Sequence, residues 1–170
     1  MKNLRELIVK GQSYTKVNDF KNAIKFFEQA NKHYENNLEI LFNLAGAYRS
    51  VGQFNKSIIL YNKMIKIDPI NTTAHRLIST LTNYKENSAN LILMEKLISK
   101  QEIKNKSKIE ICFALGKAYC DLENFSKSFH YYKSANVMKK KINNFSFSIL
   151  AEHFDQIISV FDKLDFSKEK

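Results

Sequence analysis

The sequence predicts an all-α protein, a stack of helix-turn-helix hairpins, on three observations. Glycine and proline are scarce, Gly 4 and Pro 1 in 170 residues, too few for the corners of a turn-rich β fold. Apolar residues recur at helical spacing: Leu41, Leu44, Ala45 and Tyr48 lie on one face, as do Leu115, Gly116 and Tyr119. The third observation is an internal echo. Gly11 is followed by Tyr14, Phe20, Ala23, Phe27 and Ala30; Ala45 is followed at the same offsets by Tyr48, Phe54, Ser57, Tyr61 and Met64. Gly116 is followed by Tyr119, Phe125, Ser128, Tyr132 and Ala135. The first two copies are 34 residues apart, and the third lies 71 further on, two periods plus three residues. One stretched, degenerate unit should fill that gap.

Each unit reads as two helices. Small residues at Gly11, Ala45 and Gly116 let the second helix approach the first. A mid-helix glycine costs about 1 kcal/mol against alanine, which packing has to recover. The breaks "VNDF", "VGQF" and "LENF" turn the chain. The second helices alternate small and large as Ala23/Phe27/Ala30, Ser57/Tyr61/Met64 and Ser128/Tyr132/Ala135, and Pro69 closes the second unit. In the loose region "TTAHRLISTLTNY" and "SANLILMEKLISK" are the expected helices, with "KENS" between them. Phe147, Leu150, Phe154, Ile157, Phe161 and Leu164 share one face of a last helix, expected to cap the stack before a frayed tail. The predicted units are 4–37, 38–71, 72–108 and 109–142, followed by a capping segment over 143–170.

With these residues in hand, the chain resembles tetratricopeptide repeat proteins, well over three units and loosely over 72–108. That resemblance implies a right-handed superhelical stack, an α-solenoid, with a concave side lined by the first helix of each pair. The order "AHRLISTLTNY", "LMEKLIS", "EICFALGKAYCDLENFSKSFHYYKSANVMKK" and a Phe-rich helix also resembles the array preceding the catalytic part of bacterial tetratricopeptide-repeat sulfotransferases. In that family a Gly/Ser/Arg-rich loop follows and grips the phosphosulfate nucleotide. No such loop stands in this sequence, whose glycines are Gly11, Gly46, Gly52 and Gly116. A catalytic domain is then expected only as a neighbour or partner.

No catalytic, cofactor or metal constellation is expected. His33, His75, His130 and His153 are scattered and read as surface or rim positions, and Cys112 and Cys120 as small buried thiols. Glu6, Glu28, Glu39, Glu95 and Glu110 read as solvated faces. The net charge of +10 comes almost wholly from lysine, with only three arginines, which argues against nucleic acid as the partner. Lys139, Lys140 and Lys141 suit a helix C-terminus. No apolar run suits a membrane span, no secretory signal opens the chain, and a cytoplasmic location is the default expectation.

The expected function is a non-catalytic scaffold that binds protein or peptide in its concave groove. Candidate groove residues are Gln12, Phe42, Asn43, Arg49, Arg76, Phe113 and Lys117, with Thr15, Gly46 and Thr80 between them. Phenylalanines beside cations suit a peptide with an apolar anchor and acidic groups. The carboxylate clamp of chaperone-binding arrays would need basic residues at Ile8, Thr73 and Leu77 and asparagine at Gln12 and Asn43; only Asn43 complies. The alternatives are an array serving an absent sulfotransferase domain, and lysine-driven nucleic-acid binding.

Overall fold

The computed structural model describes residues 4–86, 88–100, 103–142 and 147–161, with the side chains of Ile149 and Phe161 outside that description. Within these residues the chain is helical and carries no strand. Helices α1 (Leu4–Lys16) and α2 (Phe20–His33) form the first hairpin, α3 (Leu38–Ser50) and α4 (Phe54–Ile67) the second. Then follow α5 (Thr72–Leu81), α6 (Ala89–Ile98), the hairpin α7 (Asn105–Asp121) and α8 (Phe125–Ile142), and α9 (Phe147–Phe161).

The three regular hairpins turn alike. Asn18, Gly52 and Glu123, each seven residues after its small residue, adopt left-handed backbone at φ 59°, 77° and 58°. In each turn the next amide reaches back over the helix end: Asp19 N to Tyr14 O, Gln53 N to Tyr48 O and Asn124 N to Tyr119 O, all 2.9 Å. This is the Schellman closure, which satisfies carbonyls the helix leaves orphaned. Asn and Gly take that backbone readily, whereas Glu123 pays about 1 kcal/mol for it. Between units, Asn37 and Asn71 stop the incoming chain and cap the next helix, accepting from Ile40 N at 3.1 Å and Ala74 N at 3.0 Å.

Inside the hairpins, the size alternation read from the sequence is what packs. The Phe27 ring lies against Gly11 and the Tyr132 ring against Gly116. Ser57 Oγ donates to Ala45 O at 2.9 Å, and Ser128 Oγ repeats the bond to Gly116 O at 2.8 Å. Buried apolar clusters then run along the stack: Leu7/Ile8/Ala30/Ile40, Ala23/Phe27/Leu44/Tyr48, Leu41/Tyr61/Met64/Ile78, and Leu91/Met94/Ile111/Leu115.

The degenerate unit departs from the expected pattern. Helix α5 stops at Leu81, short of the predicted Tyr84, and α7 packs against both α5 and α6. Helices α5 and α6 meet through polar side chains. His75, predicted at the surface, is fully buried: its Nε2 donates to Pro69 O at 3.1 Å, and its Nδ1 meets the Asn90 amide, which also bonds the Tyr84 hydroxyl. Tyr84 leaves the helix and fills the α6/α7 cluster, 3% exposed. An imidazole costs too much to bury unpaired, so the neighbours that bond it fix its place.

Burial pushes the Tyr84 phenol up to about 12 from its ordinary value of 10.0, and the nearby Asp121 adds to the rise. A phenol raised in the fold contributes its full stability below pH 10 and loses it as pH climbs toward 12. Urea unfolding followed at pH 8 and pH 11.5 should therefore show an alkaline loss that is smaller in Tyr84→Phe than in the parent by on the order of 2 kcal/mol, the remainder coming from the other raised phenols. Equal pH dependence in the two proteins would contradict it.

Helix α9 is present where the sequence places it, but the described apolar side chains of its expected capping face are not buried. Leu150, Phe154 and Ile157 are 37%, 56% and 52% exposed. The predicted tail, including Leu164, lies outside the described residues. Among the described residues no helix is long and apolar enough to cross a membrane.

Candidate functional site

The first helices of the units, α1, α3, α5 and α7, carry the groove residues the sequence proposes. Side-chain bonds link these helices in pairs: Gln12 Nε2 donates to Glu39 Oε1 at 3.3 Å, joining α1 to α3, and Arg76 meets Glu110 at 4.0 Å, joining α5 to α7. Phe42 is 42% exposed and Arg49, two turns further along α3, is exposed as well. Asn43 is half-buried, and its amide donates to the Glu39 carbonyl one turn back at 2.9 Å.

One groove gathers Arg76 and Phe113 from that set and adds residues outside it. A groove of about 390 Å³ is lined by Arg76 of α5, Lys106, Ile109, Glu110 and Phe113 of α7, and Lys139 and Ile142 of α8. The Phe113 ring is its apolar floor, half-buried and tilted against Tyr132 at 6.4 Å. Two cations stand over that ring, Arg76 at 5.5 Å and Lys139 at 5.8 Å. A ring face attracts cations through its quadrupole, which holds both side chains near the groove mouth while leaving their charge available. Against three cations stands Glu110, whose Oε2 is buried with no hydrogen-bond partner. The groove therefore presents positive charge around an aromatic floor. Neither lysine is in the predicted set, because Lys106 precedes the predicted unit 109–142 and Lys139 belongs to a second helix.

Lys117 is not available to a ligand in the way the sequence suggests. Its ammonium bonds Asp121 and the Thr82 carbonyl and lies 5.6 Å from the Tyr84 ring centre. Asp121 also accepts from the Tyr84 amide at 2.9 Å. This pair fastens the segment after α5 onto α7, a job created by the open third unit and invisible in a helical-wheel reading.

Besides Glu39 and Glu110, two more of the predicted solvated carboxylates, Glu28 and Glu95, join neighbouring units. Tyr48 donates to Glu28 of the preceding unit, with Lys56 over its ring at 4.9 Å. Tyr119 donates to Glu95, with Lys127 over its ring at 4.7 Å. Burial, reinforced by the adjacent carboxylate, drives both phenols well above their ordinary range. Tyrosine and lysine stand eight residues apart in both copies, so this Glu–Tyr–Lys contact is a repeat feature of the architecture. The surface depression around Tyr48, Glu28 and Lys56 is accounted for by it.

Of the two thiols, Cys112 is buried and burial pushes it up, while Cys120 is exposed, against expectation. A raised thiol holds little of the thiolate that nucleophilic chemistry needs. Among the described residues no three His, Cys, Asp or Glu side chains converge as a metal site.

Comparison with known proteins bears on the fold. Residues 14–81 match the tetratricopeptide repeat family model. No curated protein matches the chain in sequence. Among solved structures, MamA 41-end from Desulfovibrio magneticus RS-1 superposes with a TM-score of 0.64 at 14% identity, over 97% of this chain and 98% of that one. A MamA RS-1 ArsTM double mutant gives 0.64 at 15% identity with the same coverage. MamA AMB-1 gives 0.59 at 14% identity, over 88% of this chain and 78% of that one. None of these matches is to a sulfotransferase, so the narrower resemblance read from the sequence gains no support. The chain folds as a tetratricopeptide-repeat solenoid, with the family's sequence pattern present across residues 14–81.

Proposed function

We propose that this protein is a non-catalytic scaffold that binds a peptide or protein segment combining an apolar anchor with acidic side chains, and that the α5/α7/α8 groove is the principal contact. The observation that supports this reading is the Phe113 floor flanked by Arg76 and Lys139, with Lys106 at the rim. An apolar side chain fills the floor and is desolvated there, while carboxylates at its flanks meet cations already held in place. Phe42 and Arg49 on α3 extend the same kind of surface toward the N-terminal units. The lysines elsewhere are dispersed over α1, α2, α4, α6, α7 and α8, and among the described residues they form no comparable cluster with an aromatic floor, which favours peptide over nucleic acid.

Screening the full chain against an array of acidic, aromatic-containing peptides and measuring affinities by fluorescence anisotropy tests this. Arg76→Glu and Lys139→Glu should each weaken the best peptide by about tenfold or more, since reversing one partner costs over 1.4 kcal/mol. Lys66→Glu, on an exposed position of α4, should leave it nearly unchanged. Equal affinities for all four proteins would remove this groove from the account. Capture of single-stranded nucleic acid with a steep salt dependence, and of no peptide, would replace it with the electrostatic alternative.

A further inference from the structure

The internal repeat shows what belongs on the open end of the stack. In the first unit, Leu4, Ile8 and Ile24 stand seven before, three before and thirteen after Gly11. There Leu4 and Ile8 pack with Ile40 of α3, the first helix of the next unit, and Ile24 packs with Leu44 and Tyr48 of the same helix. The same three offsets from Gly116 give Ile109, Phe113 and Phe129. Ile109 and Phe113 line the open groove, and Phe129 is 68% exposed. The last hairpin therefore offers a seat for a first helix, and the groove is part of it.

Helix α9 has the pattern of such a helix. Leu150-Ala151 with Phe154 three residues on repeats Leu44-Ala45 with Tyr48 and Leu115-Gly116 with Tyr119. Its ionisable acids are Glu152 and Asp155, and the seat carries Arg76, Lys106 and Lys139. Yet α9 does not reach its own seat. The chain leaves α2 and α4 at Tyr34 and Asp68, and Asn37 and Asn71 cap the returning helix. The equivalent positions in the last unit are Lys139 and Ile142, which remain helical, so α8 runs 18 residues where α2 and α4 run 14. One extra turn, about 6 Å, carries the chain past the point of return.

We propose that the occupant of this seat is α9 of a second copy of the chain, the exchange being reciprocal and producing a closed dimer. The inference rests on the groove reading above and names one partner for it. The apolar face of α9 and the Phe113/Phe129 edge are buried together, and the acids of α9 meet the groove cations.

Sedimentation equilibrium of the full chain over a wide concentration range is the test, with a synthetic peptide of residues 147–161 titrated into the full chain beside it. The expected mass rises from 19.9 kDa toward twice that value. Phe154→Asp and Arg76→Glu should each weaken association by about tenfold or more, while an equimolar mixture of the two variants regains association because one seat and one α9 remain intact. The peptide should bind Phe154→Asp, whose seat is unchanged, and fail to bind Arg76→Glu. A mass that stays monomeric with no peptide binding overturns the inference; so does a dimer indifferent to Phe154→Asp, or a monomer whose α9 amides are protected from hydrogen exchange. If the 147–161 peptide fails but unrelated acidic peptides still bind in an Arg76-dependent way, the groove function stands and only its named partner falls.

Discussion

Gly11→Ala is expected to destabilise the protein by about 1–3 kcal/mol, the ordinary cost of forcing volume into a packed core. On propensity alone the sign would be opposite, because alanine is favoured over mid-helix glycine by about 1 kcal/mol. The structure decides against propensity here. A Cβ on Gly11 would lie 2.4 Å from the Phe27 ring, and Phe27 is 1% exposed, so the ring has nowhere to move. Gly46, in the middle of α3, meets no atom within 4 Å, and Gly46→Ala should therefore gain about 0.5–1 kcal/mol. Gly116→Ala falls between them: its Cβ would sit 2.9 Å from Tyr132, a half-buried ring with room to tilt. Urea denaturation followed by circular dichroism orders the three, and a stabilised Gly11→Ala would mean that the first hairpin is looser than described.

Asp121→Ala should cost about 2–3 kcal/mol, more than an exposed carboxylate is worth, because it strands two groups at once. The Lys117 ammonium loses its counter-charge with its side chain only 31% exposed, and the Tyr84 amide loses its acceptor. Asp121→Asn keeps an acceptor for the amide and should cost less. Lys117→Met combined with Asp121→Ala should recover part of the loss, since the uncompensated charge is gone. Thermal or urea unfolding of the four proteins checks the order. A single Asp121→Ala within 0.5 kcal/mol of the parent would show that the segment after α5 is not fastened in this way.

The regular hairpins were legible because each residue's role there is local and repeated. Gly11, Ala45 and Gly116 recur with aromatic partners at fixed offsets, and sequence spacing translates directly into helix-helix contact. The same regularity misled where the chain departs from it. Lys117 sits at a groove offset, but the lengthened third unit brings Thr82 and Tyr84 onto α7 and turns that lysine into a clamp. His75 looks like a surface histidine until Pro69, Asn90 and Tyr84 close around it. Glu28 and Glu95 look solvated because their tyrosine partners are 20 and 24 residues away, in another unit.

The sequence by itself determined the helices, the hairpin turns and the period, since these follow from side-chain size, backbone preference and spacing within about 34 residues. Tertiary structure alone decided which cations gather around the open groove. Charge is common on this chain, and whether a lysine or arginine is spent on a neighbour or left facing an open aromatic floor depends on how successive units stack. It also decided that the described apolar side chains of α9 stay exposed while α8 continues through Lys139–Ile142, and no residue of α9 itself encodes that.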